Sequence, residues 1–185
     1  IEQIELPTGN NKSLTEFSLN HALETDGRFD EVGPSGITLW FLKRMEPQEV
    51  QKPPFTLQYS STLPASEEPI IGLDELNRLV FDELEAGTDT GNNDELTISL
   101  SYPHWRAGTL PLTDQIKGIF PTAYETPRVQ FNFLDGHNQD IFSGWVVRPY
   151  RYIYGLKNWY EQQGVIPGSN ITIRRSKNPG EVIVQ

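Results

Sequence analysis

The chain of 185 residues contains no cysteine. This absence excludes disulfide bonds, thiolate metal ligands and cysteine nucleophiles. The sequence also lacks any apolar run close to the roughly 20 residues that a membrane-spanning helix needs. We therefore expect no association with a membrane, and the lack of cysteine fits a cytoplasmic protein.

Recognisable catalytic motifs are missing as well. The sequence has no Gly-x-Ser-x-Gly elbow, no phosphate-binding loop and no dinucleotide fingerprint. Asp89-Thr90-Gly91 matches the core of an aspartic-protease site, but polar residues flank it where that chemistry needs apolar strands. Asp135, His137 and Asp140 fall in a predicted hairpin turn, where solvated turn residues are a better interpretation than metal ligands. We therefore predict neither enzymatic activity nor a metal site, and no cofactor.

The charge is unevenly distributed along the chain. The net charge is −10, which by itself argues against a nucleic-acid partner. Residues 1–126 hold 8 Lys and Arg against 21 Asp and Glu, whereas residues 127–185 hold 7 against 4. The C-terminal part is therefore basic, and two hypotheses stay open: a surface that binds an anion, or ordinary charge scatter in a soluble protein.

The first 50 residues predict a helix followed by a hairpin. Residues 13–16 form a capping box, and the helix that begins there is expected to end at Gly27. Two short strand candidates, residues 28–32 and 37–43, flank a turn rich in glycine and proline. This order resembles the closing part of a winged helix, so residues 1–50 are either a truncated winged-helix-like segment or an unrelated α/β cap.

Residues 51–95 predict a linker that partly packs. Five prolines lie between Pro47 and Pro69, around a strand candidate at Phe55–Tyr59. Apolar residues then repeat at helical spacing from Leu73 to Leu84, which predicts an acidic helix. The polar residues 88–95 mark the boundary of the next domain.

Residues 96–185 predict a β-rich domain with two short helices. Apolar and polar residues alternate in several short runs, including Leu96–Tyr102 and Val129–Phe133. Asp135-Gly136 and Asn178-Pro179-Gly180 predict tight turns between strands. We expect these strands to close into a barrel, because closure hides both the core face and the edges of the sheet. The predicted fold class is therefore α+β, a C-terminal pseudobarrel preceded by a small winged-helix-like α/β segment.

The order of these elements resembles the DNA-binding pseudobarrel family, found in plant transcription factors and in the recognition domains of some restriction endonucleases. The resemblance rests on small motifs in that order: Thr109-Leu110-Pro111-Leu112, the strand that ends at Asp135-Gly136, and Leu156-Lys157-Asn158-Trp159-Tyr160. Ser169 departs from the acid that the family commonly has there. The resemblance covers about half of the chain and implies a non-enzymatic protein that binds duplex DNA.

The resemblance also implies which residues would contact DNA. Members of the family grip the major groove with two loops, which correspond here to the loop between the first two strands and to a later loop between strands. The residues carried over by position are His104, Trp105 and Arg106 in the first loop, and Arg148, Tyr150 and Arg151 in the second. Guanidinium groups and aromatic rings suit contacts with phosphates and guanines.

These residues also have structural interpretations. Trp105 could close one end of the barrel, and Arg148 and Arg151 could pair with acids from the N-terminal half. Arg174, Arg175 and Lys177 follow the last predicted helix and could simply be solvated. Our leading hypothesis is a DNA-binding protein with a regulatory or defence-associated role, of a kind common in bacteria. The alternative is an interaction or scaffold module that binds a protein partner through its acidic N-terminal half.

Overall fold

The structure, a computed structural model, describes residues 12–58, 94–121 and 126–185. The predicted strand at residues 1–6, the predicted helix at residues 73–84 and the motif Asp89-Thr90-Gly91 lie outside these residues. The described part of the chain has an α+β fold. In that part, no helix is long and apolar enough to cross a bilayer.

Nine strands and five short helices make up the described elements. The helices are α1 (Lys12–Thr25), α2 (Gln48–Gln51), α3 (Tyr102–Ala107), α4 (Asp114–Lys117) and α5 (Lys157–Gln163). The N-terminal strands are β1 (Phe29–Glu31) and β2 (Trp40–Leu42). The remaining strands are β3 (Glu95–Ser99), β4 (Thr109–Pro111), β5 (Arg128–Asp135), β6 (Ile141–Val147), β7 (Tyr152–Tyr154), β8 (Asn170–Arg175) and β9 (Glu181–Val184).

Strands β3 to β9 form one curled sheet in the order β3-β8-β9-β5-β6-β7-β4. Its pairs are antiparallel except β5 with β9. The strands were expected to close into a barrel, but β3 and β4 do not pair with each other. The sheet is therefore a half-barrel with these two strands at its edges. Helix α5 contacts the edge strand β4, where the Tyr160 hydroxyl donates to the carbonyl of Thr109 over 3.0 Å. This bond gives a buried backbone carbonyl a partner.

The main core lies inside the curl. The predicted alternation in β5 is confirmed, since Val129, Phe131 and Phe133 are all buried. Gly144 on β6 makes room for two of these rings, because a Cβ there would lie 2.6 Å from atoms of both Phe131 and Phe133. Burial of each phenylalanine side chain stabilises the fold by about 1.5–3 kcal/mol.

Residues 12–58, which we call the N-terminal segment, pack against the outer face of the same sheet. Val32 and Val50 pack with Trp145, Val147 and Tyr152 in a second buried cluster. This explains why the last four residues of β6 are all buried: alternate side chains enter the two clusters. The predicted hairpin is confirmed as the β1–β2 pair. It also contacts the edge of β5, where the carbonyl of Val32 accepts a hydrogen bond from Gln130 N at 2.8 Å.

A network of ion pairs joins the hairpin segment to the start of β5. Arg128 lies 2.5 Å from a carboxylate oxygen of Glu46 and 3.4 Å from one of Asp30. Lys43 pairs with the other oxygen of Asp30 at 3.1 Å. The side chain of Glu46 is 1% exposed, and its second oxygen has no hydrogen-bond partner in the described residues. Burial raises the pKa of this carboxyl, and the charge of Arg128 opposes that shift.

Three local expectations differ from the structure. Residues 55–57 form a 3₁₀ turn instead of the predicted strand, because Pro53 and Pro54 supply no N–H groups for a ladder. Residues 102–107 form α3 instead of a loop, with Pro103 in the first turn and the left-handed Gly108 at the end. The short strand β7 was not predicted.

Candidate nucleic-acid interface

The first predicted group of DNA-contacting residues lies on α3. Pro103 favours a helix start and Gly108 adopts a φ of +67°, so this stretch is a single helical segment of six residues. His104, Trp105 and Arg106 consequently point in different directions around the helix axis. Each of them has a different environment.

His104 is a partly buried residue. Its Nδ1 lies 2.9 Å from the hydroxyl of Thr109 in the adjoining strand. Burial lowers the pKa of His104 to about 4, so its ring is neutral at physiological pH. A neutral, buried imidazole that is bonded to the protein is poorly suited to contact a phosphate.

Trp105 joins α3 to the loop that follows α5. Its indole nitrogen donates to the carbonyl of Val165 over 2.7 Å, and its ring packs against the main core. The ring of Tyr102 lies 5.9 Å away between centroids. These contacts give Trp105 a structural role in the core.

Arg106 is exposed and contributes to a groove between α3 and α5. Its guanidinium donates to the hydroxyl of Tyr102 over 3.3 Å. The groove has a volume of about 450 Å³. Its described lining residues are Trp105, Arg106, Lys157, Tyr160, Glu161, Gly164, Val165 and Ile166. We call it the α3–α5 groove.

The second predicted group follows β6. Arg148 and Tyr150 lie on a 3₁₀ turn, and Arg151 ends that turn with a left-handed φ of +51°. Tyr150 stacks on Tyr152, with 6.2 Å between ring centroids, and is 45% exposed. Arg148 donates to the carbonyl of Thr126 over 3.3 Å. Arg151 pairs with Asp114 at 3.7 Å, an acid of the β-rich domain and not of the N-terminal half as the structural interpretation expects.

Arg148 and Arg151 line a cavity with a volume of about 590 Å³. Its described lining residues are Leu112, Asp114, Lys117, Thr126, Pro127, Arg148, Pro149 and Arg151. Three of these side chains are basic and one is acidic, so the lining is positive although the whole chain carries −10. We call it the basic cavity.

The register of β4 and β7 determines where the two predicted groups of DNA-contacting residues lie relative to each other. Thr109 pairs with Tyr154 at the end where α3 lies, and Pro111 pairs with Tyr152 at the end where Arg151 lies. The α3–α5 groove and the basic cavity are therefore at opposite ends of this ladder. The structure thus brings Arg148 and Arg151 together, but it does not join them to Arg106 in one pocket.

Two basic residues of these sites were not predicted. Lys117 lines the basic cavity from α4, and Lys157 lines the α3–α5 groove from α5. Both lysines lie in segments that the sequence correctly predicts as short helices. Their position next to the predicted arginines depends on the folding of the sheet, so no local signal could reveal it.

The predicted turn at Asp135 differs in one respect from expectation. Asp135 is 2% exposed and not a solvated turn residue. Its carboxylate accepts hydrogen bonds from the backbone N–H of His137 and from the side chain of Gln163, both over 2.8 Å. It therefore ties the hairpin to α5. No group of three or more potential metal ligands occurs within the described ranges.

Comparison with known proteins gives no assignment: no family model and no curated protein matches the chain.

Proposed function

We propose that this protein binds duplex DNA, with the basic cavity as its principal contact with the phosphate backbone. The observation that carries this proposal is the clustering of Lys117, Arg148 and Arg151 around one cavity of an otherwise acidic protein. Phosphate contacts by lysine and arginine supply most of the affinity of proteins for DNA. Arg148 and Arg151 are also two of the residues that the pseudobarrel resemblance implies.

A second basic site lies at the other end of the β4–β7 ladder, where Arg106 and Lys157 line the α3–α5 groove. The protein therefore has two surfaces on which basic side chains outnumber acidic ones. Tyr150, exposed beside the basic cavity, adds an aromatic group to this surface.

The test is a titration of a fluorescein-labelled 20-base-pair duplex, followed by fluorescence anisotropy, with wild type and the double variant Arg148→Gln/Arg151→Gln. If each arginine contributes about 1 kcal/mol, the double variant should bind about 30-fold more weakly. The matched control is Arg44→Gln/Lys52→Gln, which removes two exposed charges from the N-terminal segment, one of them also on a 3₁₀ turn.

The control should keep wild-type affinity to within about twofold, because those charges lie outside both basic sites. Equal losses in the two double variants would mean that only net charge matters, and would contradict a defined binding surface. Circular dichroism of each variant establishes that the fold is retained.

A second candidate function is the binding of a protein partner by the N-terminal segment. Large apolar side chains are exposed there: Phe17 is 69% exposed, Met45 68% and Phe55 87%. Such side chains are typical centres of protein interfaces when they cluster. Capture of one specific partner by wild type but not by Phe55→Ser, with unchanged DNA binding, would support this function.

A further inference from the structure

The α3–α5 groove has a composition that differs from that of the basic cavity. The indole of Trp105 and the side chains of Val165 and Ile166 contribute apolar surface, and Ile166 is 64% exposed. Arg106 and Lys157 are two basic residues on this lining, against one acid, Glu161. The groove therefore offers apolar surface beside positive charge.

The apolar part of the groove is held in a fixed position. Trp105 is anchored by its hydrogen bond to the carbonyl of Val165, and its ring packs against the core. At the end of α3, Gly108 lies so close to α5 that an added Cβ would fall 2.4 Å from the Cβ of Lys157. The two helices are thus in close contact, and the groove between them is preformed.

A volume of about 450 Å³ lies within the range of about 300–1,000 Å³ that is typical of sites for small organic groups. A planar aromatic base fits an apolar surface that contains an indole ring, and a phosphate fits two basic side chains. A nucleotide combines both groups in one unit. In a paired duplex the base is stacked inside the helix, so only an unpaired nucleotide can present its base to the groove.

We propose that the α3–α5 groove binds one unpaired nucleotide of a DNA strand, with the base on Trp105 and Ile166 and the phosphate at Arg106 and Lys157. This inference rests on the proposed function, since the basic cavity would hold the adjoining duplex.

The test compares three labelled 20-base-pair duplexes: one fully paired, one with a single unpaired thymidine at its centre, and one with an abasic residue in place of that thymidine. Wild type should bind the thymidine bulge about tenfold more tightly than the abasic bulge. The comparison with the abasic DNA separates recognition of the base from the greater flexibility of any bulged duplex.

Two variants test the assignment of the groove. Lys157→Gln removes a charge from its lining, and Ile166→Glu places a carboxylate where the base is expected to pack. Each should reduce the ratio of the affinities for the thymidine and abasic bulges to less than about threefold. A general effect of the changed charge on DNA binding cancels in this ratio. The matched control is Ile141→Glu, because Ile141 is also 64% exposed but lies outside the groove.

The outcomes separate this inference from the proposed function. Salt-dependent binding of all three DNAs with equal affinity would overturn the inference and leave the proposed function standing. Absence of binding to every DNA would overturn both. A preference for the thymidine bulge that persists in Lys157→Gln and Ile166→Glu would place the base elsewhere and would also overturn the inference.

Discussion

Arg128 and Arg148 lie at adjoining ends of neighbouring strands but have different environments. Arg128 pairs with Val147 in the β5–β6 register, and the amide of Arg148 donates to the carbonyl of Pro127 over 3.1 Å. Arg128 is enclosed by Glu46 and Asp30 beneath the N-terminal segment. Arg148 lines a cavity that it shares with Arg151 and Lys117.

The difference shows what the acidic excess of the N-terminal half does. The two acids that neutralise Arg128 come from the first 50 residues, 82 and 98 positions earlier in the chain. Part of the negative charge is therefore used to attach the N-terminal segment to the sheet. The basic C-terminal segment thus contains two kinds of arginine, one that joins two parts of the fold and one that lines a cavity.

The largest expected effect is the loss of stability when the ion pair of Arg128 with Glu46 is removed. Arg128→Met leaves the carboxylate of Glu46 buried without its cation, so we expect the free energy of unfolding to fall by about 3 kcal/mol. Arg148→Met, the control next to the neighbouring strand, should cost less, because it leaves the buried pair of Glu46 with Arg128 intact. Urea denaturation of the two variants measures both values. Equal losses would contradict the distinction between the two arginines.

A smaller effect is expected on the pH dependence of stability. It concerns α3, where His104 is partly buried and Arg106 is exposed. Because burial lowers the pKa of His104 to about 4, the folded protein disfavours its charged form. The unfolded chain takes up this proton near pH 6.5, so the contribution of His104 to stability should decline as pH falls from about 6.5 to 4. His104→Asn, which keeps a polar atom for Thr109, should lack this decline.

Urea denaturation at several pH values compares the stability of wild type with that of His104→Asn. NMR titration of the imidazole measures the pKa of His104 directly. A midpoint near pH 6.5 in the folded protein would show that His104 is accessible and would restore it as a candidate DNA contact.

The smallest expected effect concerns Glu46. Since burial raises the pKa of its carboxyl, the charged form reduces stability above the folded-state pKa. This penalty disappears as pH falls towards the unfolded value of 4.5. Glu46→Gln removes the charge and keeps an oxygen for Arg128, so the variant should be at least as stable as wild type at pH 7. Its advantage should shrink at pH 5, as measured by urea denaturation. A large loss of stability at pH 7 would show that the ion pair outweighs the desolvation of Glu46.

Much of the fold could be predicted from the sequence. The alternation of Val129, Phe131 and Phe133 and the turns at Asp135-Gly136 and Asn178-Pro179-Gly180 are local signals, and the structure has the corresponding strands and turns. The helix expected from residues 13–16 is present as α1, but it already begins at Lys12, so the capping-box residues lie inside it. The sequence wrongly predicts a closed barrel, because closure depends on whether the edge strands β3 and β4 pair with each other, which is a non-local property. The packing of residues 28–58 on the outer face of the sheet is equally non-local.

The candidate site could be predicted only in part. The resemblance implies Arg148, Tyr150 and Arg151 by position, and these three residues lie together on and at the end of one 3₁₀ turn. Lys117 and Lys157 could be assigned to these sites only from the three-dimensional arrangement of α4 and α5. The same holds for the separation of Arg106 from Arg148, which follows from the register of a three-residue strand. The DNA contacts themselves remain a prediction.

The most direct test of duplex binding at the basic cavity is the salt dependence of affinity for a 20-base-pair duplex. If Lys117, Arg148 and Arg151 each neutralise one phosphate, the slope of log affinity against log salt is about −2.7, so the affinity of wild type should fall about 40-fold between about 50 and 200 mM salt. The slope of log affinity against log salt should be smaller by about 2 in Arg148→Gln/Arg151→Gln. No binding at 50 mM salt, or a slope that the double variant leaves unchanged, would contradict the proposed function.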